Sequence, residues 1–371
     1  MEYVNLGDVA TYINGYAFKP EQRGKKGLPI IRIQDLNGNS HDLGFFDGEY
    51  PKQVEINAGD ILISWSGSLG VYKWNKGKAL LNQHIFKVLF NKIKIDKEYF
   101  CYAVKNSLSV MSQQTHGATM KHITKKDFDK VLIPYPSLNT QRKIAQKLNI
   151  VTELIVFYET ELSLMEQLIK ARFVEMFGDP IINPYGFPVK KIDEVAVLNK
   201  GITYSPDDIS KEGIIVLRSG NIKGNAFDLE DIVRISKKIS NDKLVNENDI
   251  LMCNRNGSVN LVGKVAKIPK LEEKMTFGTF MTIVRSEIFE YLFVFFQMNA
   301  FREQIKFQTA VAINQISLPL LASVKVPIPT NELIKEFADF VEQVDKSREA
   351  VKKSLEKTQQ LYDSLMQEYF G

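Results

Sequence analysis

Slid along itself by about 190 residues, the chain falls into register with a second copy of its own pattern, and a repeat of that length restricts the fold before any motif is read. At an offset of 186, Leu6-Gly7-Asp8-Val9-Ala10 meets Ile192-Asp193-Glu194-Val195-Ala196, and Arg32 meets Arg218. The stretch INAGDILISWSGSLG from Ile56 to Gly70 then answers VNENDILMCNRNGSVN from Val245 to Asn260 at an offset of 189 or 190. By Val131-Leu132-Ile133-Pro134-Tyr135-Pro136 against Val324-Lys325-Val326-Pro327-Ile328-Pro329 the offset has settled at 193, and Gly178 meets Gly371, the last residue. The D-I-L frame and the following G-S repeat, while the residues between them change completely.

Each copy has two parts. Residues 1–136 and 179–329 mix short β-branched and aromatic runs (Pro29 to Ile33, Ile61 to Ser64, Ile85 to Phe90; Ile214 to Leu217, Met281 to Val284) with turns such as Asn37-Gly38 and Asn256-Gly257. Helical patterns at Glu98 to Gln113 and Glu290 to Phe307 sit between them, so each of these parts reads as an α+β domain. Prolines 134, 136, 327 and 329 break the pattern, and Ser137 and Thr330 are expected to cap long helices over 137–178 and 330–371. Along the first helix Ile144, Leu148, Val151, Ile155, Tyr158, Leu162, Met165, Ile169, Arg172 and Met176 alternate steps of four and three; adding 193 gives Phe337, Val341, Val344 and so on to Tyr369. Such spacing over about four heptads predicts a coiled-coil seam on helices roughly 60 Å long. Only GDPIINPYGFP separates the first helix from the second globular part, so the second helix is expected to run back antiparallel on the first. The expected architecture is two related α/β-mixed domains joined by two long antiparallel helices, with a pseudo-twofold relation between the copies.

Composition adds bounds. With 371 residues, 44% of them hydrophobic and 25% charged, the chain fits a multidomain globular protein. No apolar run approaches the ~18 residues a membrane span needs, and MEYVNLGDVA lacks the order of a signal peptide, so a cytoplasmic, non-membrane protein is expected. Cys101 and Cys253 form no C-x-x-C pair, which argues against a disulfide framework or a cysteine zinc site. Of the net +4, residues 1–136 and 179–329 are mildly basic and residues 330–371 acidic. Two polyanion-facing modules fit this distribution, and scattered solubilising charge fits it nearly as well.

No catalytic motif survives inspection. A phosphate-binding G-x-x-x-x-G-K-[ST] loop is absent, since Gly67-Ser68-Leu69-Gly70 has neither the spacing nor the lysine. Asn183-Pro184-Tyr185 lacks the second proline of an amino-methyltransferase motif and reads as a turn, and Glu272-x-Lys274 is half of a nuclease motif without its aspartate. Because His41, His84, His116 and His122 all fall in the first copy and lack ligand spacing, a histidine metal or catalytic site common to both copies is excluded.

Binding residues are better represented. After its D-I-L frame the first copy offers Ser64, Trp65, Ser66 and Ser68, followed by Tyr72, Lys73 and Trp74; the second offers Asn254, Arg255, Asn256, Ser258 and Asn260. Arginine forks onto guanine, asparagine onto adenine, and serine reaches several base edges, so this alphabet suits groove readout. An ordinary polar hairpin explains any one of these residues equally well. A second pair of loops sets Thr119, Lys121 and His122 against Asn314 and Gln315, and Arg32, Arg218 and Asn221 complete the candidate set.

Taken in order, these residues resemble the specificity subunits of type I restriction-modification systems. The resemblance spans the whole chain: a globular part, Pro-x-Pro, a long helix, Phe177-Gly178-Asp179-Pro180, then a second globular part, Pro-x-Pro and long helix. It also rests on Gly59-Asp60-Ile61-Leu62, on Asn248-Asp249-Ile250-Leu251, and on Pro136-Ser137-Leu138-Asn139-Thr140-Gln141-Arg142-Lys143-Ile144-Ala145. Ile334-Lys335-Glu336-Phe337 departs from the Gln-Arg-Lys-Ile phrase in the second copy. The resemblance implies two target recognition domains that each read half of an asymmetric site on double-stranded DNA, with the helices setting the gap. It further implies a chain that is not itself an enzyme and holds no cofactor. Two modification subunits would carry S-adenosylmethionine, and restriction subunits would use ATP and magnesium. A coiled-coil adaptor for proteins is the alternative, and salt-sensitive, sequence-selective DNA binding would separate the two.

Overall fold

The computed structural model describes residues 2–39, 42–114, 124–306 and 315–371. The chain divides into two compact units, Met1–Glu159 with Lys353–Gly371, and Thr160–Lys352. Each unit therefore holds one globular body and part of each long helix, Leu138–Phe177 and Asn331–Phe370.

In the first unit the D-I-L strand, Ile61–Ser64, is buried along its whole length, as an uninterrupted apolar strand covered on both faces should be. It is flanked by Gly70–Lys73 and Ile85–Leu89, and Thr11–Asn14 extends this antiparallel sheet beyond Ile85–Leu89. A second sheet runs Phe45–Phe46, Leu28–Ile31, Ala79–Leu81, Glu55–Ile56, with Leu28–Ile31 and Ala79–Leu81 parallel. Tyr3–Asn5 pairs with Leu132–Pro134, just before the long helix. Leu148 and Val151 of the first long helix and Tyr362 and Met366 of the last join Tyr99, Phe100 and Phe128 in one core.

The second unit repeats the plan in its main sheet and varies it in the companion sheet. Its central D-I-L strand, Ile250–Cys253, lies between Val265–Lys267 and Met281–Arg285, with Val197–Lys200 outermost. The companion sheet runs Ile209–Ser210, Arg234–Ile235, Ile214–Leu217, Met275–Phe277, and it too holds one parallel pair, Ile214–Leu217 with Met275–Phe277, here at the edge of the sheet and not at its middle. Val189–Lys191 pairs with Lys325–Pro327. Even a single hydrogen bond recurs, since Tyr99 donates to the Pro134 carbonyl at 2.8 Å and Tyr291 to the Pro327 carbonyl at 2.6 Å.

Within the second unit Arg172 pairs with Glu336 at 2.9 Å and Arg348 with Glu166 at 3.2 Å, so the two helices run in opposite directions there. One expectation is refined and one corrected. Arg172 and Met176, placed on the seam by strict 3.5-residue spacing, do face inward, Arg172 onto Glu336 and the Phe340 ring and Met176 against the core, but the buried positions are their neighbours Phe173 and Phe177, whose rings meet those of Tyr291 and Phe337 at centroid distances of 4.9 to 5.6 Å. An α-helix turns every 3.6 residues, so a seam drifts by about 20° per heptad, and here the globular body supplies the partner surface. The helix expected from Glu290 to Phe307 is instead two, Phe289–Phe295 and Asn299–Lys306. Tight i to i−3 bonds at Gln297 and Met298 break it, and Phe295, Phe296 and Phe301 thereby meet in one buried aromatic group. Among the described residues no helix is long and apolar enough to cross a membrane.

Candidate nucleic-acid interface

The aspartate of the D-I-L frame builds a turn in both units. Asp60 accepts from the Asn57 backbone N–H at 2.8 Å, and Asp249 from that of Asn246 at 2.7 Å. Each also pairs with a cation on the neighbouring strand: Asp60 with Lys87 at 3.0 Å, Asp249 with Arg285 at 2.7 Å. The residue before each aspartate has a left-handed backbone, Gly59 with φ 92° and Asn248 with φ 68°. This local chemistry requires the Gly/Asn-Asp pair wherever the strand is to start, and it fixes where the following loop emerges.

In the second unit that loop opens onto a cleft of about 1100 Å³. Arg218, Arg255 and Asn256, far apart in the chain, line it together with Tyr204 and Phe280. The Asn256 amide donates to Ser219 Oγ at 3.0 Å, and Arg218 pairs with Asp231 at 2.7 Å. Arg255 is exposed, and its guanidinium carbon lies 5.2 Å from the centre of the Phe280 ring. Its backbone bridges to Gln315, which brings the second candidate loop to the same place. Ser258 and Asn260 stand exposed on the turn that follows. Two candidates are corrected. Asn254 is buried and donates to Thr282 Oγ1, while buried Asn221 accepts from the Arg218 N–H and donates to the carbonyls of Asp228 and Asp231. Both amide nitrogens are committed to holding loops, as buried donors usually are, while the buried Asn254 Oδ1 has no hydrogen-bond partner among the described residues.

The first unit has the same frame and a different rim. Ser64 is buried and donates to the Ser68 carbonyl at 2.5 Å, Ser66 is buried, and Trp74 is a core residue whose Nε1 donates to the Gly77 carbonyl at 2.8 Å. These three are therefore structural, against expectation. Arg32 is also committed, its guanidinium donating to Asp35 at 3.1 Å and to the Asp42 carbonyl. Tyr72 donates to Asn37, and the ion pair with Glu98 holds Lys73 above its ordinary range. Trp65 is half-buried, with Nε1 donating to Asn14 Oδ1 at 3.2 Å, one face stacked on Phe86 and an edge against His84 at 5.0 Å. Ser68 remains exposed. Thr119, Lys121, His122 and Asn314 lie outside the described residues.

Sequence reasoning missed Phe280, Tyr204, His84 and Asn14. The turn residues His84 and Phe280 are equivalent: the Trp65 N–H donates to the His84 carbonyl at 3.2 Å and the Asn254 N–H to that of Phe280 at 2.8 Å. A signal for this meeting point was present in the repeated glycines. A Cβ on Gly15 would lie 1.9 Å from the Asn82 carbonyl oxygen, and one on Gly201 2.0 Å from that of Gly278, so both positions demand glycine where the two loops cross.

Electrostatically, the Asp249 carboxylate raises Arg285, and burial pushes the Cys253 thiol beneath the second loop up to about 11. Among the described residues no group of three or more His, Cys, Asp or Glu side chains is placed to hold a metal ion. What the geometry offers is a polar rim with stacking surfaces on a rigid sheet, which suits recognition.

Comparison with known proteins agrees. The chain belongs to the type I restriction modification DNA specificity domain family, whose model matches residues 1–166 and 184–360. Among its relatives are the specificity subunit of the type I restriction enzyme EcoBI from Escherichia coli and that of MjaVIII from Methanocaldococcus jannaschii. The first is 24% identical over 99% of this chain and 85% of that protein; the second is 22% identical over 98% and 91%. The crystal structure of a type I restriction-modification S subunit from M. genitalium superposes with a TM-score of 0.56 at 16% identity, covering 100% of this chain and 96% of that one. A chain from a study of complex assembly in a type I system gives 0.53 at 15%, covering 100% and 97%. The two structures share the fold.

Proposed function

We propose that this chain is the DNA-reading subunit of a type I restriction-modification complex and that each globular body, over residues 1–136 and 179–329, reads one half of an asymmetric bipartite site. The observation that carries this reading is the contrast within the repeat. Asp60 and Asp249 build the same turn, the same buried strand follows, and the rim then presents Trp65 with His84 in one unit and Arg255 with Phe280 in the other. Selection for one catalytic reaction would preserve the rim; selection for two different half-sites preserves the frame and varies the rim. Half-sites on one DNA face would be separated by one or two helical turns, roughly 34–36 Å per turn, and the long helices would set that gap as a coiled-coil bar with pseudo-twofold symmetry.

In this reading the chain performs no chemistry. It positions two modification subunits, which bring S-adenosylmethionine and methylate adenine, and restriction subunits, which use ATP and magnesium, in the cytoplasm. The test is to express the chain with its modification subunits and map methylated adenines across the host genome. An asymmetric motif with a fixed internal gap is expected. Methyl transfer by the purified chain alone, or methylation indifferent to sequence, would overturn the proposal.

A further inference from the structure

Arg255 differs from the other arginine in its cleft. Arg218 is neutralised by Asp231, whereas the guanidinium of Arg255 makes no hydrogen bond or ion pair among the described residues. Among the described residues its one side-chain partner is the ring of Phe280, which is itself 51% exposed. The backbone beneath the pair is fixed. The Arg255 and Asn254 N–H groups both donate to the Phe280 carbonyl, at 3.3 and 2.8 Å, and the Arg255 strand position bridges to Gln315. A phenylalanine left half in water beside a polar cleft gains nothing for the core. It does give an arginine a flat surface on which to lie.

That arrangement has a chemical consequence. A guanidinium stacked by its face keeps its N–H edge free, and that edge matches two acceptors side by side. In the major groove the O6 and N7 of guanine present such a pair. A side chain already held against a ring loses less rotational freedom on binding, so its contact to a base is strengthened without new contacts. The register places Ser66 at the position of Arg255 in the first unit, and His84 at that of Phe280, so the first unit has no guanidinium there.

We infer that Arg255 reads one guanine in the half-site assigned to the second unit, with Phe280 as the positioning residue that holds the guanidinium ready. This inference rests on the function proposed above. Its test uses the whole chain assembled with its modification subunits, given duplexes randomised through both half-sites, with methylation read by sequencing. Arg255→Lys keeps the charge and loses the fork, and it is expected to reduce discrimination at one guanine by about 10- to 100-fold while leaving the other half-site untouched. Phe280→Ala should relax the same position by about 2- to 5-fold, and Phe280→Tyr, which keeps the stacking face, should restore it.

Both residues are exposed, so the variants are expected to assemble, and assembly is checked by elution of the complex. Three results overturn the inference: Arg255→Lys leaving selectivity unchanged, Arg255→Lys relaxing a position in the other half-site, or Arg255→Ala weakening all sequences equally and lowering the salt slope by about one, the signature of a phosphate contact. Failure of the underlying function shows differently, because the wild-type complex would then methylate without sequence preference.

Discussion

Removing the aspartate of the D-I-L frame should cost more in the second unit than in the first, although the residue does the same job in both. The Asp249 carboxylate is 1% exposed and accepts three hydrogen bonds, each at 2.7 Å: one from the Asn246 N–H and two from the Arg285 guanidinium. Asp60 is 25% exposed and accepts from the Asn57 N–H at 2.8 Å, alongside its ion pair with Lys87 at 3.0 Å. Asp249→Ala orphans a turn N–H and strips a fork from Arg285. Arg285 is itself 36% exposed and keeps the Leu244 carbonyl at 3.2 Å, so water compensates in part. A charge-assisted bond is worth about 1.5–3 kcal/mol, and with this partial recovery the loss comes to about 3 kcal/mol. For Asp60→Ala the carboxylate is already hydrated and Lys87 retains the Glu55 carbonyl at 2.7 Å, so the loss is about 1.5 kcal/mol. Because a chain of two units need not unfold in one step, hydrogen exchange resolved by peptide is the appropriate assay, comparing residues 244–253 with 55–64. Equal losses in the two units, or an Asp249→Ala protein with unchanged protection, would refute the burial argument.

Other outcomes follow from the same structure. Tyr291→Phe leaves the Pro327 carbonyl without its buried donor and should cost about 1–2 kcal/mol in urea unfolding. Burial raises the Tyr291 and Tyr99 phenols far above their ordinary range. Their contribution is therefore complete below about pH 10, where an unfolded phenol titrates, and is lost as pH climbs beyond it. The melting temperature should fall above pH 10, and less steeply in Tyr291→Phe. Burial also pushes the Cys101 thiol up to about 12 and that of Cys253 to about 11, so neither should react with a disulfide reagent at pH 8 until urea opens the unit that holds it. Replacing residues 179–329 by another globular body should change one half of the methylated motif; a change in both halves would refute modular reading.

Much of the fold was legible because it is written twice. The strands Ile61–Ser64 and Ile250–Cys253 announce themselves as apolar runs behind a Gly/Asn-Asp turn, and Ile144, Leu148, Val151 and Phe337, Val341, Val344 are buried at helical spacing. The rim was less legible. Ser64 and Asn254 come from the polar alphabet of DNA readers, yet register turns both inward, and a one-residue difference decides which face a side chain takes. Phe280 and His84 were invisible for the opposite reason: an aromatic in a short turn reads as core until the crossing loop at Gly201 or Gly15 shows which side it faces.

The recurring bond from Tyr99 to Pro134 and from Tyr291 to Pro327 bears on how such chains diversify. It sits at the joint between a globular body and its helix, where a rigid Pro-x-Pro leaves the chain few ways to turn. A globular body that brings the same tyrosine and the same edge strand to the proline segment meets its helix through the same contacts. The joint is thus a standard fitting, the same in both units while the rims they carry differ.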